Sequence, residues 1–194
     1  MSAVSAPRLI LASHSPRRAA LLAQIGIAHR VCAPHIDETV RPGEAPRDYV
    51  LRMAREKARA VAVREPTLPV LGADTLVLID GLILGKPADA AAGVAMLRRL
   101  GGRSHEVLTA VALSVRGESD VRLSVSTVRM RALSEAECRA YWDSGEPHDK
   151  AGGYAVQGRG AVFIESIEGS YSGIMGLPLY ETAQLLGAAG LAVL

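Results

Sequence analysis

An Asp-Gly pair, Asp80-Gly81, stands between two apolar runs, Leu68 to Ile79 and Leu82 to Leu84. Aspartate followed by glycine suits a two-residue turn with positive φ at both positions, the connection that joins antiparallel strands. The surrounding chain alternates helical and strand patterns, which by itself points to parallel strands linked by helical crossovers. One architecture meets both demands: an α/β fold in which helices flank a mixed parallel and antiparallel sheet. A second turn makes the same demand, with Arg116 to Asp120 joining strands at His105 to Val115 and Val121 to Arg131.

The helix signals are local and clear. A short strand at Arg8 to Ala12 precedes a helix over Pro16 to Ile25, with Ser15 as its cap, Pro16 in its first turn and Gly26 as its left-handed stop. A strand follows near His29 to Ala33. Arg47 to Arg64 then carries Val50, Met53, Ala54, Lys57 and Val61 at helical spacing and should be the longest helix. Ala88 to Leu100 reads as a helix closed by Gly101-Gly102, and Ser134 with Glu137 forms a capping box for a helix through Trp142. The C-terminal third predicts a strand at Ala161 to Ile167, a turn through SYSGIMGLP and a last helix from Leu179 to Leu186. At 194 residues the chain suits one domain, or two closely joined lobes with a cleft between them.

Composition mainly excludes. A net charge of +2 is too small for a general nucleic-acid binder driven by charge. No run reaches the ~20 apolar residues of a membrane span, and MSAVSAPRLILAS is too short in apolar residues for a signal peptide. The expectation is a cytoplasmic globular protein. Cys32 and Cys138 lie outside any metal or redox spacing and read as buried thiols. His29, His35, His105 and His148 read as surface or capping residues, and His14 as tolerated rather than catalytic.

Four segments have the means for chemistry. Ser13 to Arg18 is a polar loop at a helix mouth, where free N–H groups and the helix dipole favour phosphate; two arginines and two serines add donors. The alternative is an ordinary cap with surface arginines. In Leu71-Gly72-Ala73-Asp74-Thr75 an acid interrupts an apolar strand, which is costly unless the carboxylate is paired or metal-bound. It reads as a metal ligand or general base, or else as a turn aspartate bonded to its own backbone, and Asp37-Glu38 could bring a second carboxylate. Lysine occurs only at Lys57, Lys86 and Lys150 in a chain that otherwise uses arginine, and Lys57 and Lys86 read as phosphate contacts or else as solvated surface lysines. Gly152 to Gly158 offers backbone freedom, a ring at Tyr154 and an amide at Gln157 for holding a base; the alternative is a glycine-bounded strand with Tyr154 in the core.

Taken in order, LASHSPRR, the Asp37-Glu38 loop, AREKA, LGADT, GKP, DKAGGYAVQG and SYSGIMGLPLYE resemble the Maf family of nucleoside triphosphate pyrophosphatases over nearly the whole chain. That resemblance implies a single Maf-like nucleotide pyrophosphatase domain over 1–194, of Maf/ITPase-like fold. It also implies a frequent homodimer, a divalent cation (Mg2+ or Mn2+), and hydrolysis of a nucleoside triphosphate to monophosphate and pyrophosphate. By the same resemblance Asp74 is the proton acceptor, and Glu38 with Asp74 holds the metal. Ser13, Arg17, Arg18, Lys57 and Lys86 bind substrate, while Arg17, Thr75 and Gln157 set base specificity.

Ala73 and Thr75 stand where the 7-methyl-GTP branch resembles GSDQ, and YAVQG stands where that branch resembles FKSEG. The chain also lacks the extra residue of SPWRR. These differences favour the dTTP/UTP branch, with modified pyrimidine nucleotides as a house-cleaning variant. The competing class is a nucleotide-binding regulator of cell division, suggested by the family's septum-inhibition name.

Overall fold

A computed structural model describes residues 6–193, so the signal-peptide reading falls partly outside the described residues. The sheet has seven strands in the order β2-β1-β3-β5-β6-β7, with β4 paired to β3. These are β1 (Leu9–Ala12), β2 (His29–Val31), β3 (Val70–Ile79), β4 (Leu82–Leu84), β5 (Ser104–Val115), β6 (Glu118–Met130) and β7 (Ile164–Glu168). β1 is parallel to both β2 and β3, whereas β3/β4 and β6/β7 are antiparallel, so the sheet is mixed as expected. The helices are α1 (Pro16–Gln24), α2 (Pro46–Ala62), α3 (Ala90–Leu100), α4 (Glu135–Asp143), α5 (Tyr171–Met175) and α6 (Leu179–Ala188).

The chain divides into two compact units. One takes the described residues up to Asp74, Thr109–Ser124, and those from Gly176 onward; the other takes Thr75–Leu108 and Val125–Met175. In the first, β1 is buried along its whole length, and α2 lays the predicted stripe against the sheet: Val50, Met53, Ala54, Lys57 and Val61 are all buried. Each large apolar side chain so buried contributes about 1.5–3 kcal/mol. Contact is closest at Gly72, where a Cβ would lie 2.4 Å from the Ala54 carbonyl oxygen and 2.6 Å from the Ala58 nitrogen. A glycine is therefore required for α2 to rest its backbone on β3.

The second unit has its own core, in which Val77 and Ile79 of β3 join Val94, Leu97 and Leu100 of α3, Cys138 and Tyr141 of α4, and Tyr154 and Phe163. Its local signals are realised. Ser134 and Glu137 form the expected capping box of α4, while α3 starts at Ala90 rather than Ala88 because Asp89 caps it through the Ala92 N–H at 2.8 Å. Asp80 and Gly81 have φ of 53° and 75°, as the hairpin turn requires.

Several expectations need correction. β3 runs unbroken through Gly72 to Thr75 rather than being interrupted there. The β5/β6 connection is only Arg116-Gly117, with φ of 51° and 90°, so pairing resumes at Glu118. β7 begins at Ile164, after a 3-10 turn over Arg159–Phe163, and part of SYSGIMGLP is helical as α5. Cys138 is buried as expected, but Cys32 is only half-buried.

Candidate catalytic site

Lys57 lies on the buried face of α2, one turn beyond Met53 and Ala54, so the same period that packs the helix aims its ammonium at β3. Two positions beyond the close approach at Gly72, Asp74 faces that ammonium. Lys57 Nζ donates to Asp74 Oδ1 at 2.7 Å and lies 3.1 Å from Glu38 Oε1. Lys57 and Asp74 are 6% and 7% exposed, whereas the Glu38 side chain is 54% exposed. The turn-aspartate alternative is thereby set aside: Asp74 is a strand residue whose burial is compensated by a lysine.

Glu38 sits on the loop before α2, and that loop is tied down by residues with no role in the sequence reading. Arg52 grips Glu44 in a two-pronged pair, Nε to Oε1 at 2.6 Å and Nη2 to Oε2 at 2.7 Å, and also donates Nη2 to the Thr39 carbonyl at 3.1 Å. The hydrogen bond from Arg52 draws the Glu44 carboxyl down to about 2. Tyr49 Oη donates to the Glu38 carbonyl at 3.0 Å. Asp37 accepts from the Thr39 hydroxyl at 2.6 Å and the Thr39 N–H at 2.9 Å. Those bonds lower its carboxyl below the usual range.

The second segment, Ser13 to Arg18, leaves the end of β1, which pairs in parallel with β3 in the register Ala12 to Gly72. In that register Ser13, just past β1, stands level with Ala73, one residue before Asp74 in the middle of β3. Ser13 is buried, and its Oγ accepts from the Ser15 N–H at 3.0 Å and from Arg18 Nη1 at 3.3 Å. Ser15 stands at the N-cap position with Pro16 opening α1, as expected, but its side chain makes no capping bond. Ser13 takes the Ser15 N–H instead. Arg18 reaches inward, donating Nη1 to the Ala73 carbonyl at 2.8 Å and Nε to the Gly176 carbonyl at 2.7 Å. It thus braces the backbone directly before Asp74. Burial lowers the Arg18 guanidinium from its ordinary value, against the opposing pull of Asp74. Arg17 is half-buried, and the His14 and His35 rings are both exposed, 6.5 Å apart.

The remaining candidates belong to the second unit. Thr75 follows Asp74 on β3 and, as the next strand residue, presents the opposite face. Lys86 is exposed just after β4, and the neighbouring Gly85 carbonyl accepts from the Gly152 N–H at 3.0 Å. This bond joins the Gly-Lys-Pro turn to the glycine loop. Gln157 is exposed, while Tyr154 is buried with its Oη 2.7 Å from His105 Nε2, so the core alternative holds for Tyr154. His105 is 3% exposed, not a surface residue, and its burial lowers the imidazole to about 4.

Hydrogen bonds and ion pairs thus join Ser13, Arg18, Glu38, Lys57 and Asp74 within one unit, while Lys86, Thr75 and Gln157 lie in the other. Among the described residues, no three His, Cys, Asp or Glu side chains gather as a self-sufficient metal cage. Glu38 and Asp74 nonetheless converge on one positive centre, the Lys57 ammonium. Two carboxylates of this kind fit Mg2+ or Mn2+, cations commonly held by one or two carboxylates together with substrate phosphates. Nothing in the sequence singles out Arg52 or Tyr49, and His105 is mistaken for a surface residue, because the Thr39 and Glu38 carbonyls and Tyr154 that they meet are set by the fold.

Comparison with known proteins adds the family. A protein named dTTP/UTP pyrophosphatase from Bordetella parapertussis is 53% identical, covering 98% of this chain and 97% of its own length. Proteins of the same name from Bordetella avium and Methylobacillus flagellatus are 54% and 52% identical, over 96% and 98% of this chain and 98% and 96% of theirs. Among solved structures, the Ham1 protein of Staphylococcus aureus is similar at a TM-score of 0.44 and 16% identity, over 63% of this chain and 71% of that one. The model of the family described as Maf-like protein matches residues 8–189. This chain is a member of the Maf-like protein family.

Proposed function

We propose that this chain hydrolyses dTTP and UTP to the monophosphate and pyrophosphate, using a divalent cation. Two lines support the reading: relatives named dTTP/UTP pyrophosphatase match over nearly their whole length, and one cluster suits the chemistry. The observation that carries it is the buried Asp74 carboxylate, bonded to Lys57 and converging with Glu38 beside the arginine-rich mouth of α1. A carboxylate spent only on stability is a poor use of a buried site, because an apolar pair would serve as well. Next to a phosphate-binding mouth it has a task.

In the mechanism, Asp74 accepts a proton from water as the water oxygen attacks the α-phosphorus. The bond from that phosphorus to the bridging oxygen of the β-phosphate breaks, and pyrophosphate leaves with the electron pair. Glu38 and Asp74 would hold Mg2+ or Mn2+, which when bound draws charge from the phosphate oxygens. Lys57, Lys86, Arg17 and Arg18 offset charge building on the leaving group, and Ser13 donates to phosphate. Gln157 presents a donor and an acceptor to the pyrimidine edge, with Arg17 and Thr75 bounding the base. In this reading residues 1–194 act as one catalytic domain, as a homodimer in the cytoplasm.

The test is pyrophosphate release from dTTP, UTP, CTP, GTP, 7-methyl-GTP and ATP with Mg2+, Mn2+ or EDTA. Fast release from dTTP and UTP that EDTA abolishes is the expected result. Preferred turnover of 7-methyl-GTP would overturn the specificity, and no release from any nucleotide would leave a binding role in cell division in its place.

A further inference from the structure

We propose that Glu146, acting with Tyr141, is the positioning residue for the loop that carries Gln157 and so sets base discrimination; the inference rests on the function proposed above. Glu146 follows α4, just after Gly145 turns the chain with φ of 76°. Its carboxylate is half-buried and accepts from two main-chain N–H groups and one hydroxyl. Oε1 accepts from the Arg159 N–H at 3.0 Å, and Oε2 accepts from the Gly160 N–H at 3.1 Å and from Tyr141 Oη at 2.6 Å. The Tyr141 hydroxyl in turn accepts from the Ala155 N–H at 3.0 Å. The loop is therefore held at Ala155 on one side of Gln157 and at Arg159 and Gly160 on the other. Between them, the Gly158 N–H closes a turn onto the Ala155 carbonyl at 3.3 Å, leaving Gln157 exposed at the tip.

The fit around the carboxylate is close. A Cβ at Gly158 would lie 1.8 Å from Glu146 Oε1, and one at Gly160 would lie 2.8 Å from Tyr141 Oη. The glycines of this loop are thus dictated in part by the carboxylate beneath it. Tyr141 is anchored by edge-on packing against Phe163, with ring centroids 5.1 Å apart, so its hydroxyl cannot follow the loop if the loop moves. Lys150, the third lysine, adds a further tie by donating Nζ to the Glu146 carbonyl at 2.6 Å. Burial works to raise the Glu146 carboxyl, but the bonds from Tyr141, Arg159 and Gly160 outweigh it and leave it lowered. A carboxyl held below its ordinary value is ionised at neutral pH, with both oxygens available to the three donors.

Glu146→Gln keeps the size but replaces one acceptor oxygen with an N–H2 group facing donors. Glu146→Asp keeps the charge but withdraws it by one methylene, and Tyr141→Phe removes the link to Ala155. The experiment measures kcat and KM of each variant for UTP and CTP, with thermal unfolding as a check on folding. Glu146→Gln should lower the UTP to CTP ratio of kcat/KM by about tenfold through a higher KM for UTP, since one good base-edge pair discriminates by roughly that factor. Tyr141→Phe and Glu146→Asp should move the ratio in the same direction by less. Adding Gln157→Ala to Glu146→Gln should cost little more discrimination than either alone, because residues acting through one another are not additive. An unchanged ratio, an equal fall in kcat for both nucleotides, or a fully multiplicative double variant would overturn the inference while leaving the proposed function standing. A wild-type protein that releases no pyrophosphate would instead remove the function on which the inference rests.

Discussion

Replacing Lys57 with methionine keeps the length and apolar stem of the side chain and removes only its charge. In the native protein that charge is the nearest positive group to the Asp74 carboxylate, 2.7 Å away, and both side chains are almost fully buried. Breaking a buried pair from one side leaves an uncompensated ion and costs about 3–5 kcal/mol. For a chain of this length each kcal/mol lowers Tm by about 2–4 °C, so Lys57→Met should unfold roughly 6–20 °C below wild type. Asp74→Asn should cost less, because Lys57 keeps Glu38, which at 54% side-chain exposure retains water around it. The double variant Lys57→Met, Asp74→Asn should recover most of the loss, since no buried charge is left without a partner. Thermal and urea unfolding in EDTA measure all three. Adding Mg2+ at about ten times its Kd should then return about 1.4 kcal/mol to Lys57→Met, with the cation taking the place of the ammonium between the two carboxylates. A Lys57→Met protein within about 1 kcal/mol of wild type, or a double variant less stable than Lys57→Met, would refute the reasoning, because neither is compatible with a compensated buried pair.

Asp74→Asn should reduce pyrophosphate release by about a thousandfold or more, since it removes the group proposed both to accept the proton and to help hold the cation; near-normal release would take Asp74 out of the mechanism. Gly72→Ala would set a Cβ 2.4 Å from the Ala54 carbonyl, and overpacking against backbone should cost about 3 kcal/mol and weaken the contact from Lys57 to Asp74, seen as a lower Tm together with lower kcat. His105 should give the protein an acid-side weakness. Its folded value of about 4 lies below the ordinary 6.5, so between those values the unfolded chain binds a proton that the folded one refuses. The associated stability, about 3 kcal/mol at most, is present above about pH 6.5 and lost as pH falls toward 4. Urea midpoints measured from pH 7 to pH 4 in wild type and His105→Gln should diverge over that window; parallel curves would rule the effect out.

What the sequence makes legible follows from where each residue's partner lies. The stripe on α2 is readable because Val50, Met53, Ala54, Lys57 and Val61 share one helical period, and the lysine is carried with its apolar neighbours. The capping box of Ser134 and Glu137 is readable because both partners lie within four residues of each other. β3 misleads for the opposite reason. Gly72, Ala73 and Asp74 have the composition of a break, yet the strand continues because β1 pairs alongside and α2 supplies both a backbone to meet Gly72 and an ammonium to meet Asp74. α5 was hidden in a glycine-rich turn, although the Ser170 hydroxyl accepts the Gly173 N–H at 3.0 Å much as a cap would. His105 gave no sign of burial, since Tyr154 reaches it from 49 residues away.

The catalytic candidates and the residues that hold them leave different marks in a sequence. Asp74, Lys57 and Glu38 meet one another side chain to side chain, so their types and order make a pattern. Arg52 and Glu146 hold loops in part through main-chain atoms: Arg52 pairs with Glu44 and Glu56 and also bonds the Thr39 carbonyl, and Glu146 accepts the N–H groups of Arg159 and Gly160 besides the Tyr141 hydroxyl. Any residue can supply a carbonyl or an N–H, so such contacts impose no partner type that a reader could match. The two loops nevertheless carry Glu38 and Gln157, the acid proposed for the cation and the amide proposed for the base. Each depends on a charged side chain bound to backbone, and a change at Arg52 or Glu146 would shift a proposed site residue without touching it. Glu38 and Gln157, two exposed side chains proposed to meet substrate, therefore sit on loops held in part by interactions that leave no partner type in the sequence.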